Sequence, residues 1–146
     1  MVYDQLFALD SKGVAQPEMV GAYGVSPDGL SYSFTLRDGL TFHDGAPATA
    51  ADAVASIRRW AQRDVVGRAL AAATASMDAT DAKTFIIKLA RPFALVTEAL
   101  ARPTASALFV MPARIAATPA STAITGLLLG ASVLSGPRSV KWGPRE

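Results

Sequence analysis

Few side chains in this chain stand where they could carry chemistry. His43 is the sole histidine of the 146 residues, with Asp44 beside it. A metal site needs three or four ligands at matched spacing, and one imidazole supplies a single one. Asp78 and Asp81 could form a pair of carboxylates, but Lys83 follows closely and the stretch reads as a turn with solvated acids. Ser132, Ser135 and Ser139 lack the G-x-S-x-G context that presents a nucleophilic serine. No G-x-x-x-x-G-K-[ST] loop is present to cradle a nucleotide phosphate. These residues do not make an enzyme, and they imply neither a cofactor nor a metal.

The elements around these residues are easier to read. Ser31, Ser33 and Thr35 alternate with Tyr32, Phe34 and Leu36, the period of a half-buried strand over 31–36. Arg37-Asp38-Gly39 and His43-Asp44-Gly45 supply turn residues on either side of a short second strand. Thr49 suits an N-cap, and Asp52, three residues on, complements the helix dipole. The spacing then predicts a helix over 49–63. Its buried face holds Ala50, Ala53, Val54, Ile57 and Trp60 or Ala61, while Arg58, Arg59, Gln62 and Arg63 face water.

Other segments follow the same logic. Residues 6–9 and 14–15 flank the turn Asp10-Ser11-Lys12-Gly13 and predict a hairpin. Pro17 fits the first turn of a short helix reaching Val20. The alanine-rich stretch 68–75 predicts a helix. Residues 84–89 predict a strand with Phe85, Ile87 and Leu89 on one face, paired through the turn Asp81-Ala82-Lys83 with residues 76–79. A helix is expected over 93–101 and a short one over 112–117. Tyr3, Tyr32 and Trp60 occupy amphipathic positions expected in the core.

Composition bounds the function classes. Hydrophobic residues make up 51% of the chain, which excludes a disordered tail. A net charge of +2, with no basic run interleaved by aromatics, gives no sign of a nucleic-acid partner. Cysteine is absent, so neither disulfides nor thiolate metal sites exist. The apolar run 126–134 is shorter than the roughly 20 residues of a membrane span. Mixed helices and strands place the fold in the broad α/β class, with antiparallel hairpins included.

One region carries a resemblance. The opening Val2-Tyr3-Asp4-Gln5-Leu6, the core Gly29-Leu30-Ser31-Tyr32-Ser33-Phe34-Thr35-Leu36-Arg37-Asp38-Gly39 and the turn Phe42-His43-Asp44-Gly45-Ala46-Pro47 stand at ordered spacing. Together with the helix 49–63, the strand 84–89 and Arg91-Pro92-Phe93, they are similar to the signature region of the bacterial family 5 extracellular solute-binding proteins. These are the peptide, nickel and haem-compound receptors of ABC importers. The likeness covers residues 1–125 and implies a partial lobe of a type II-like periplasmic-binding-protein fold, resembling the small subdomain of the first lobe.

The resemblance also sets expectations about function. It implies a substrate-binding component of an ABC importer for peptides or similar small solutes, or a truncated remnant of one, with a small peptide-like or acidic solute and an ABC permease as partners and a periplasmic location. The alternative is a stand-alone interaction or scaffold fragment that binds no ligand. Relatives carry a signal peptide and a first strand–helix segment before this point, whereas MVYDQLFALD has neither a basic n-region nor an apolar h-region. Met1 is therefore expected to be an internal methionine. Open apolar faces would then favour self-association.

In the nickel-binding branch an Arg-Pro pair stands where Arg102-Pro103 does here. The likeness implies that Arg102 faces the ligand cleft and pairs with acidic groups, which a guanidinium does bidentately. Thr104 and Ser106 would add hydroxyl contacts. The structural alternative is that Arg102 ends the helix 93–101 and complements its C-terminal dipole. The tail 126–146 departs from the family pattern. No acidic residue lies between Glu98 and Glu146, and Ser135-Gly136-Pro137-Arg138 only partly matches the expected Gly-Pro return strand. The expectation is an atypical, out-of-frame tail, with simple divergence as the alternative.

Overall fold

The computed structural model describes residues 5–42, 44–102 and 108–119. Strand β1 (Phe7–Leu9) and strand β2 (Ala15–Pro17) form the expected antiparallel hairpin. Its turn is built by Asp10, whose carboxylate accepts hydrogen bonds from the Lys12 and Val14 amides at 2.8 and 2.9 Å. The short helix expected from Pro17 is not there. Pro17 instead closes β2 opposite Phe7, and strand β3 (Val20–Val25) begins three residues later. Proline suits a strand margin because it has no amide to donate. Its free carbonyl accepts from Arg37 at 3.2 Å.

Strand β4 (Ser31–Leu36) has the expected bounds and pairs on one side with β3. The β3–β4 turn needs Gly29, which sits at φ +70°, a conformation costly for side chains other than glycine. Strand β5 (Thr74–Ala79) and strand β6 (Thr84–Leu89) complete a four-stranded antiparallel sheet in the order β3-β4-β6-β5. The expected short strand after β4 reduces to a single bridge between Thr41 and Pro47.

Helix α1 (Ala50–Ala61) is capped by Thr49. The Asp52 amide donates to Thr49 Oγ1, and Asp52 Oδ2 accepts from the Thr49 amide, a reciprocal capping box. Helix α2 (Val65–Ala73) starts three residues before the expected 68, because Asp64 caps it. It stops at Ala73, and Thr74 turns directly into β5. Helix α3 (Val96–Leu100) is shorter than the expected 93–101, since Leu95 at its start offers no capping side chain. Helix α4 (Ala113–Ala116) is a single turn after Pro112.

The core forms where α1 lies against the β5–β6 half of the sheet. Phe34, Phe85 and Ile87 are fully buried, and Leu36, Ile57, Trp60 and Leu89 nearly so. Tyr32 is half-buried against this cluster. The β1–β2 hairpin brings Phe7 to the other half, edge-on to Phe34 and Tyr23 at centroid distances of 5.8 and 5.5 Å. One expectation about α1 is overturned. Arg59 is 5% exposed rather than facing water, because it reaches carbonyls on the segment after α4.

Candidate functional site

Arg102 follows α3, and its side chain is 37% exposed. Its Nη1 lies 4.0 Å from Asp64 Oδ1. Asp64 is the N-cap of α2, and the same oxygen accepts from the Val66 and Gly67 amides at 2.8 and 3.0 Å. The Asp64 side chain is 9% exposed, so the carboxylate is fixed by backbone bonds before Arg102 approaches it. The contact is long for an ion pair, and a half-exposed pair of this kind contributes at most about 1 kcal/mol. Arg102 thus leans on the start of α2, with part of its guanidinium open to solvent. Thr104, Ser106 and Pro103 lie outside the described residues, as do His43, Tyr3, the three C-terminal serines and the tail 126–146.

A groove of about 460 Å³ runs between α1, α2 and β5. Ile57, Ala61, Leu70 and Met77 give it an apolar floor. Gly67 allows the two helices to meet, since a Cβ there would stand 2.8 Å from the Ala61 Cα. Arg58 stands at the rim, donates to the Met77 carbonyl and lies 3.9 Å from Asp78.

The acidic pair considered from sequence separates into two roles. Asp78 meets Arg58 at the surface. Asp81 accepts from the Lys83 and Thr84 amides at 2.8 Å each, and these backbone bonds hold its carboxyl below the ordinary 3.8. Among the described residues no three His, Cys, Asp or Glu side chains group to hold a metal. Nor is any described helix long and apolar enough to cross a membrane.

What sequence reasoning missed is a polar row on α1. Asp52, Ser56 and Arg59 are all buried and all bind the distant segment 111–119. Their spacing of four and three residues places them on one helical face. That spacing was a visible signal, although their partners lie 55–61 residues away.

A four-stranded antiparallel sheet with helices packed on one half, preceded by a hairpin, makes this chain part of a type II periplasmic-binding-protein fold. The chain belongs to the bacterial extracellular solute-binding proteins, family 5, whose middle-region profile matches residues 15–144. It is 42% identical over 136 residues to the probable peptide ABC transporter periplasmic-binding protein y4tO of Sinorhizobium fredii, covering 93% of this chain and 24% of that protein. It is 35% identical over 103 residues to the glutathione-binding protein GsiB of Salmonella typhi, covering 69% of this chain and 20% of GsiB. Among solved structures, the binding protein AgaA of A. tumefaciens R10 in complex with agropinic acid superposes with a TM-score of 0.64 at 28% identity. That alignment covers 81% of this chain and 24% of AgaA. The chain spans about a quarter of the length of these relatives or less.

Proposed function

We propose that this chain serves solute binding for an ABC importer of peptides or similar small, acidic solutes, in the periplasm and in partnership with an ABC permease, and that it is not an enzyme. The family match across residues 15–144 carries this reading, because it joins the chain to relatives named as peptide and glutathione binders. Arg102 is the ligand contact within the chain. Its guanidinium is part-exposed and leans on a carboxylate already bound to two amides, so it remains able to pair with an acidic group of a solute. Thr104 adds a hydroxyl contact.

By themselves the 146 residues hold a solute from one side. A pocket of useful affinity encloses most of its ligand. Tyr23 and Val25 are about half exposed, which favours contact of β3 with further protein, either the rest of a receptor or a second copy.

The test is a chimera of the y4tO protein in which this chain replaces the matching quarter. Calorimetry should show peptide binding, weakened about tenfold or more by Arg102→Ala, the scale of a charge-assisted hydrogen bond. A chimera that folds and binds no peptide refutes the receptor reading. Binding unaffected by Arg102→Ala refutes only the role of Arg102. Micromolar binding by the isolated chain would show that the one-sided description is wrong.

A further inference from the structure

Helix α1 carries two faces at once. The apolar face packs on the sheet, and the row Asp52, Ser56 and Arg59 fastens the segment 108–119. These three residues are 9%, 1% and 5% exposed. Asp52 Oδ1 accepts from the Ala113 amide at 2.7 Å. This is the first amide of α4, whose own cap residue Pro112 has no side-chain acceptor. Asp52 Oδ2 meanwhile accepts from both the amide and the hydroxyl of Thr49 at 2.8 Å each. Ser56 Oγ donates to the Asp52 carbonyl at 2.7 Å and accepts from the Met111 amide at 2.9 Å. Arg59 donates to Thr118 Oγ1 at 3.1 Å and to the Pro119 carbonyl at 3.0 Å, and also to the Thr118 carbonyl.

The segment has no strand pairing among the described residues. Leu108, Val110, Ile115 and Ala116 point inward and are nearly inaccessible. Its attachment includes an apolar stripe, the buried polar row of a single helix, and a surface ion pair of Arg114 with Asp44 at 3.3 Å. The middle of that row is shared. One carboxylate completes the N-cap of α1 and also satisfies the first amide of α4, and Ser56 is bonded to the same residue. Hydrogen-bonded groups that share a member are coupled, so loss of one weakens the others.

We propose that Asp52, Ser56 and Arg59 form a clasp, and that the segment 108–119 opens from α1 as one cooperative unit while the sheet stays closed. Asp52 is the coupling residue. Disturbing Thr49, whose side chain bonds Asp52 and not the segment, loosens the segment through this carboxylate. Such a unit opens at lower free energy than the global transition, as locally unfolding segments do.

Amide hydrogen exchange on the full 146-residue chain tests this. Thr49→Ala removes the capping hydroxyl and leaves every group of the segment in place. The Met111 and Ala113 amides should then exchange together, roughly fivefold to tenfold faster, the scale of one lost hydrogen bond. The Phe34 and Phe85 amides in the sheet should keep their protection. Ser56→Ala should accelerate Ala113 as well as its own partner Met111, and cleavage by trypsin at the exposed Arg114 should rise in step. If Asp52→Ala does not fold, these two milder variants still decide the matter. Acceleration confined to the amide that lost its partner overturns the clasp, as does no acceleration at Ala113 in Thr49→Ala. Uniform acceleration that includes Phe34 and Phe85 also overturns it, because the segment would then open only with the whole domain.

Discussion

Phe34 and Phe85 stack across the β4–β6 pair, with ring centroids 5.1 Å apart and planes inclined by 23°. Both are fully buried, and Phe7 closes the other edge of the Phe34 ring. Phe34→Ala would leave a cavity bounded by three sides of the core. Denaturant unfolding should show a loss of about 3–5 kcal/mol. A loss below about 1 kcal/mol would show that β4 does not pack there.

Gly67 separates two opposing effects. Alanine in mid-helix is better than glycine by up to about 1 kcal/mol. The new methyl, however, would stand 2.8 Å from the Ala61 backbone and 3.0 Å from the Trp60 ring. Backbone moves only with its helix, so overpacking should win, at about 1–3 kcal/mol. Gly67→Ala is expected to lower the unfolding midpoint, and a raised midpoint would mean that α1 and α2 are further apart.

These contacts show what the sequence made legible. Strand β4 and the cap at Thr49 were readable because their signals are local: period-two alternation and a threonine followed by Asp52. Strand β3 was not. Val20, Gly21, Ala22, Tyr23, Gly24 and Val25 include two glycines and no alternation, and the strand is held by its neighbour β4. A Cβ at Gly21 would lie 3.3 Å from Arg37 Cγ, a close approach to the residue after β4 that is invisible in sequence. Arg59 was expected in water for the same reason, since its acceptors at Thr118 and Pro119 are 59 and 60 residues away. Of the site, Arg102 came from resemblance, and its partner Asp64 could not be inferred without the fold.

Acid should loosen the turns before it reaches the core. Hydrogen bonds from the Val14 amide, the Gln16 side chain and the Lys12 amide hold Asp10 below the ordinary carboxyl value of 3.8, and backbone amides do the same for Asp81. A carboxyl with a lowered folded pKa stabilises the fold fully above its unfolded value and loses that effect as pH falls through the folded value. Stability should thus decline below about pH 4. Carbon-detected titration should place the Asp10 and Asp81 midpoints below 3.8. Asp10→Asn should flatten the pH slope, and midpoints at or above the ordinary value would mean that the two turns are not formed.

Asp64 and Arg102 face each other, yet their removal should have unequal effects. Asp64 caps α2 through two amides, one of them buried, so Asp64→Ala should cost about 1–2 kcal/mol. Arg102 is part-exposed at 4.0 Å, so Arg102→Ala should cost less than about 1 kcal/mol. Thermal unfolding of the two variants and the double variant measures both effects and their coupling. A small cost at Arg102 leaves stability unable to explain the residue and favours its role toward an acidic solute. A cost as large as that of Asp64→Ala would instead make Arg102 a brace for the start of α2, and the ligand contact would have to be sought elsewhere in the chain.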